Sequence, residues 1–169
     1  MADRKKGIRW LLYAAELLLL FFIQDTPGLL PPLMGGKPFL VLAAALTMAM
    51  LEDPVPAMAL GAFGGLLLDF GGGAPMGYHA VVFAVLCFLL SGLCGTRMQI
   101  HLFTAVLMSL WSCAAAILLD WLLLYVAMGY SLPGYALARA YLPVYFYTLL
   151  AVIPCYGIQM GLRRWLGRY

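Results

Sequence analysis

The chain has 169 residues, of which 65% are hydrophobic and 10% charged, with a formal net charge of +3 and a mean hydropathy of +0.97. A water-soluble domain carries about 25% charged residues to cover its surface, so a chain this short and this apolar must turn its exterior to lipid. That excludes a soluble protein, and basic residues placed at span ends rather than in one patch exclude a nucleic-acid binder.

Arg4, Lys5, Lys6 and Arg9 precede the first apolar run. The run ends in bulky Phe21-Phe22-Ile23 and turn-like Asp25-Thr26-Pro27, without the small residues of a cleavage site, which predicts an uncleaved first span. A crossing helix needs about 20 apolar residues. On that basis residues 1–169 read as a single all-α transmembrane domain with about six spans, near 8–24, 38–51, 57–70, 76–94, 100–128 and 139–162. A Pro- and Gly-rich loop follows the first span, Glu52-Asp53-Pro54-Val55-Pro56 closes the second and Gly71-Gly72-Gly73-Ala74-Pro75 closes the third. Gly95 to Gln99 and the Pro133-Gly134 loop separate the rest. The second and third segments, at about 14 residues, reach only about 21 Å. They are two full spans in a locally thinned bilayer or a re-entrant hairpin; the first is favoured, and the sidedness of Glu52 and Asp53 separates them.

Lys and Arg concentrate on the cytoplasmic side. With six crossings that side receives Arg4, Lys5, Lys6, Arg9, Arg97, Arg163, Arg164 and Arg168, against Lys37 and Arg139 on the other. Both termini are therefore expected in the cytoplasm.

Helices in lipid associate through small residues that let backbones approach. Ala57, Gly61 and Gly65 form such a row in the third segment, widened by Gly64, and Ala105, Ser109 and Cys113 form one in the fifth. Ser112 and Ala116 lead along another to Asp120. These rows are expected to pack helices within the chain, with docking of a partner helix as the alternative. Cys87, Cys94, Cys113 and Cys155 all lie in apolar stretches, without a metal-ligand spacing, and read as reduced packing residues. No metal or cofactor is expected.

Acids inside a span cost about 2.5–3.5 kcal/mol at the helix centre and face the bundle interior. Glu16 lies midway along the first span and Asp120 late in the fifth, neither with a Lys or Arg within reach on its own helix. Each is expected to anchor packing by hydrogen bonds to another helix; a proton or substrate relay is the functional alternative. Asp69, beside the glycine run, is expected to accept from backbone amides of the turn. The glycine run lacks the Lys-Ser/Thr pair of a phosphate loop. Asp69 and Asp120 invite comparison with the aspartyl dyad of lipoprotein signal peptidases, but the flanking Leu-Asp-Phe and Leu-Asp-Trp lack that family's motifs. His79 and His101 begin their spans, so no enzyme is expected.

From Gly61 to Ala80 the chain resembles the bacterial rod shape-determining protein MreD family: a glycine-bearing helix with Gly65, an aliphatic Leu68-Asp69 ending, a turn with Gly72, and Gly77 opening the next span. The basic N-terminus, Gln24 before a Pro-rich loop, the late Asp120 and the basic tail agree with it. The resemblance implies a non-enzymatic scaffold of the cell-elongation complex that supports peptidoglycan synthesis and cell shape. It would bind MreC and, through it, RodA and a class B penicillin-binding protein, with MreB on the cytoplasmic side. It also implies a fold similar to the S components of energy-coupling factor vitamin transporters. That fold supplies the alternative function, a vitamin-binding S component. On the scaffold reading Gly61, Gly64 and Gly65 allow close helix approach, Asp69, Gly72 and Gly77 shape the outer turn, and the Gly61–Gly65 row is the first expectation for an MreC contact.

Overall fold

The computed structural model describes residues 2–29, 37–71, 75–95, 101–130 and 132–165, and within them the chain is all-helical with no strand. In chain order the helices are α1 (Ala2–Asp25), α2 (Leu40–Leu51), α3 (Pro54–Phe70), α4 (Tyr78–Gly95) and α5 (Leu102–Asp120). The last continues as a π-helical segment, Trp121–Val126. A short α6 (Pro133–Ala136) passes through a second π-helical stretch, Leu137–Tyr141, into α7 (Leu142–Trp165). Among the described residues four stretches are long and apolar enough to cross a membrane: Gly7–Asp25, Tyr78–Gly95, Leu102–Val126 and Pro133–Trp165. Both α2 and α3 are shorter apolar helices.

Several boundaries move relative to the spans expected from the sequence, two of them because of proline. Pro54 and Pro56 belong to the first turn of α3 rather than to the preceding loop, since a first-turn proline gives up an amide that has no intrahelical partner anyway. For the same reason Pro133 opens the last helical stretch six residues before the expected start at 139.

The centre of the bundle is α2. Every residue from Val41 to Leu51 is buried, and α1, α3, α4, α5 and α7 all pack on it. Its sequence, LVLAAALTMAML, is apolar on all sides, which suits a helix enclosed all round, and Ala43, Ala44, Ala45 and Ala49 let neighbours close in. Thr47 is the polar exception, and its hydroxyl donates within the helix, to the carbonyls of Ala43 at 3.0 Å and Ala44 at 2.9 Å. The first amides of α2 lack intrahelical acceptors and are met from outside. Phe39 N–H donates to Thr148 Oγ1 of α7 at 3.0 Å, and Val41 N–H to Gln24 Oε1 of α1 at 3.3 Å.

The other helices each bury one narrow stripe and expose large apolar side chains opposite, among them Leu11, Phe22, Val81, Leu93, Phe103, Trp111, Phe146 and Leu150. Such broad apolar exposure marks a lipid-facing exterior rather than a water-facing one. All four cysteines are free and buried.

The Glu52–Asp53 turn joining α2 to α3 lies at one end of the bundle. There Arg9 Nη2 donates to Glu52 Oε2 at 2.7 Å, with only 7% and 2% of the two side chains exposed, and Ser91 Oγ, near the end of α4, donates to the Glu52 carbonyl at 2.6 Å. Gln24, fifteen residues further along α1, meets the opposite end of α2. The α2–α3 hairpin therefore runs the length of the bundle alongside α1. Arg9, read from the sequence as one of several basic residues at the first span's start, is half of a buried ion pair.

Candidate functional site

At the end of the bundle opposite Arg9, three helices bring three titratable side chains together. The tightest contact there is glycine-made. A Cβ on Gly65 would lie 2.3 Å from the His79 carbonyl oxygen, and one on Gly61 2.6 Å from that of Phe83. No side chain fits at either place, so α3 and α4 touch backbone to backbone. Gly64 faces α2 and α1 instead, with Val41 Cγ1 3.1 Å from an added Cβ. The Gly61–Gly65 row, the first expectation for a partner contact, thus faces α4 rather than lipid. Both residues are buried against α4, because only there does the missing side chain permit that approach.

Close approach carries the end of α3 to the start of α4, where Asp69 sits 7% exposed. Asp69 Oδ2 accepts from Gly77 N–H at 2.9 Å and Ala80 N–H at 3.3 Å, while Oδ1 accepts from His79 N–H at 3.1 Å. These are among the amides that the first turn of α4 cannot satisfy itself, and a carboxylate there also complements the helix dipole. Asp69 therefore caps α4 from another helix. Gly77 reaches the required geometry at φ +92°, in the left-handed region that glycine enters without penalty. Gly72 lies outside the described residues.

His79 is the residue that sequence reasoning missed as a partner for both aspartates. It is 8% exposed; its Nδ1 lies 2.8 Å from Asp69 Oδ1 and its Nε2 3.5 Å from Asp120 Oδ2. The signal was available: an imidazole one turn into an apolar span is costly unless paired. Beyond its contact with His79, Asp120 has a second oxygen, Oδ1, that is buried with no hydrogen-bond partner among the described residues. Asp120 is the last residue before the first π-helical segment, which widens the helix at this point. An ionised Asp69 accepts from Nδ1–H, so Nε2 faces Asp120 as an acceptor in the neutral ring and as a donor in the charged one. The chain Asp69–His79–Asp120 can fix a ring, pass a proton between His79 and Asp120, or hold a cation at Asp120. Both ring nitrogens face carboxylates, which leaves neither to activate a nucleophile. His101, the other histidine, is exposed at the start of α5.

Asp120 and His79 line the floor of an open cavity of about 380 Å3. Its walls are apolar and aromatic, with Phe21, Phe39, Leu68, Leu124, Tyr141 and Val144, and Gln24, Asp25 and Lys37 stand at its mouth.

Glu16 lies apart from this site. Gln159 Nε2 of α7, fully buried, donates to Glu16 Oε1 at 3.2 Å and to the Ala44 carbonyl of α2 at 3.2 Å. One amide thus joins three helices at mid-bundle. The partner on another helix expected for each intramembrane acid is an amide for Glu16 and an imidazole for Asp120. Gln159 was legible only as a lone amide in an apolar run, Gly157-Ile158-Gln159-Met160.

These features define an all-helical, membrane-embedded bundle with a buried Asp–His–Asp chain at one end. No protein-family model, curated protein or solved structure matches the chain.

Proposed function

We propose that this chain is a non-enzymatic scaffold subunit of the bacterial cell-elongation machinery, of the MreD type. In this role it binds MreC and, through it, supports the peptidoglycan synthase pair of RodA and a class B penicillin-binding protein, with the MreB cytoskeleton beneath. The observation that carries the reading is that Gly61, Gly65, Asp69 and Gly77, on which the MreD resemblance rests, converge on one junction between α3 and α4. Residues that resemble a family motif in sequence thus also act as a unit in space.

On this reading the protein crosses the inner membrane six times with both termini cytoplasmic, in a fold like that of S components. Support comes from the α2–α3 turn, which shares an end of the bundle with Arg9 and Ser91. A hairpin dipping in from the other side would leave that turn at mid-depth. The MreC contact then uses a face other than the Gly61–Gly65 row.

Affinity purification from native membranes with mass spectrometry tests the proposal. Recovery of MreC is the expected result. Recovery of ATP-binding cassette subunits in its place would replace the scaffold with a vitamin-transporter S component.

A further inference from the structure

An ionisable group buried at membrane depth with an unmatched oxygen calls for an explanation, and at a cavity that explanation is functional, because lipid offers no compensation. Asp120 is such a group. Its side chain keeps only 8% of its surface, it lines the cavity, its Oδ1 has no close hydrogen-bond partner among the described residues although the Tyr78 hydroxyl lies nearby, and no Lys or Arg there pairs with it. Asp69, by contrast, is satisfied by three amides and an imidazole nitrogen.

The charge around the cavity is unbalanced. Asp25, Asp69 and Asp120 bring three carboxylates, against which stand the Lys37 ammonium at the exposed mouth and, when protonated, the His79 ring. Among the described residues no Lys or Arg reaches the floor, where His79 is shared between two carboxylates, and the floor lies between aromatic walls. An ammonium group supplies three donors and no acceptor, and is attracted by the faces of aromatic rings as well as by a carboxylate. The volume of about 380 Å3 is that of an organic-ligand pocket, which typically measures about 300–1,000 Å3, and is far larger than a bare metal ion needs.

We propose that this cavity is a binding site for a small aromatic primary amine, whose ammonium sits on Asp120 beside His79 and whose ring packs among Phe21, Phe39 and Tyr141. The site stands independently of the MreC assignment, since it rests on the cavity lining and the polar chain alone.

The test is thermal unfolding of the full-length protein in detergent and in nanodiscs, titrated with phenethylamine and tryptamine. Phenylpropionate and 2-phenylethanol serve as the similarly shaped anion and neutral compound. A saturable rise in Tm with at least one amine and with neither control is expected. Asp120→Asn should weaken that amine's apparent affinity by about ten-fold or more, the loss of one charge-assisted hydrogen bond. Leu124→Trp narrows the cavity without touching the polar chain and should abolish the shift, so the proposal stays testable even where Asp120→Asn does not fold. Equal stabilisation by the controls, no shift with either amine, or undiminished binding by Leu124→Trp would each overturn it.

Discussion

Arg9 and Glu52, 43 residues apart in the chain, meet through a 2.7 Å ion pair that is almost wholly buried. It ties the start of α1 to the turn between α2 and α3, and so fixes which end of the bundle that turn occupies. Removing one partner of a buried pair leaves an uncompensated charge and costs about 3–5 kcal/mol, whereas replacing both with apolar residues is often neutral. Glu52→Leu should therefore lower the unfolding temperature in detergent markedly, and Arg9→Met combined with Glu52→Leu should recover most of the loss. A double variant as unstable as the single one would show that the pair's charge is not the reason.

The same contact sets an expectation about sidedness. Asp53 is exposed beside Glu52, and the native cysteines described above are buried, so Asp53→Cys offers a single reactive thiol in the hairpin turn. A membrane-impermeant maleimide should label it in inverted vesicles and not in intact spheroplasts, with Tyr130→Cys showing the reverse. Labelling of Asp53→Cys from the spheroplast exterior would favour a re-entrant hairpin.

Glycine substitutions should fall in a definite order. An added methyl at Gly65 meets backbone at 2.3 Å and one at Gly61 meets backbone at 2.6 Å, while at Gly64 it meets the end of Val41 at 3.1 Å. Overpacking costs about 1–3 kcal/mol, more where the obstacle is backbone that cannot move aside. Gly65→Ala should destabilise most, then Gly61→Ala, then Gly64→Ala. Gly157→Ala and Gly161→Ala, which lie inside α7 and meet nothing within 4 Å, should hold or slightly raise the unfolding temperature, since alanine is the better helix former. Thermal scans of the five variants in one detergent check the order.

Asp69 should prove sensitive even to an isosteric change. Its two oxygens accept from three amides and from the His79 ring, and in Asp69→Asn one of those oxygens becomes an NH2 group that cannot accept. At least one buried donor is then unmatched, at about 1–3 kcal/mol. Asp69→Asn should lower stability by an amount in that range, and hydrogen exchange at the first turn of α4 should speed up. Unchanged exchange there would separate Asp69 from the capping role.

Much of this protein was already written in local sequence. The shortage of charge named the solvent, and glycine and proline marked where one helix gives way to the next, because both act through the backbone of their own segment, although Pro54 and Pro133 proved to open helices rather than to precede them. Asp69 beside a glycine turn was readable for the same reason: its donors lie within eleven residues. Tertiary structure alone decided that α2 stands at the centre. An all-apolar helix suits lipid and protein neighbours equally, since lipid is as apolar as a leucine side chain, and no local pattern distinguishes the two. It also decided that Asp69, His79 and Asp120 meet, and that Arg9 finds Glu52. Each of those pairings joins different helices, and the cost of an unpaired polar group at that depth demands a partner without saying from which helix it must come.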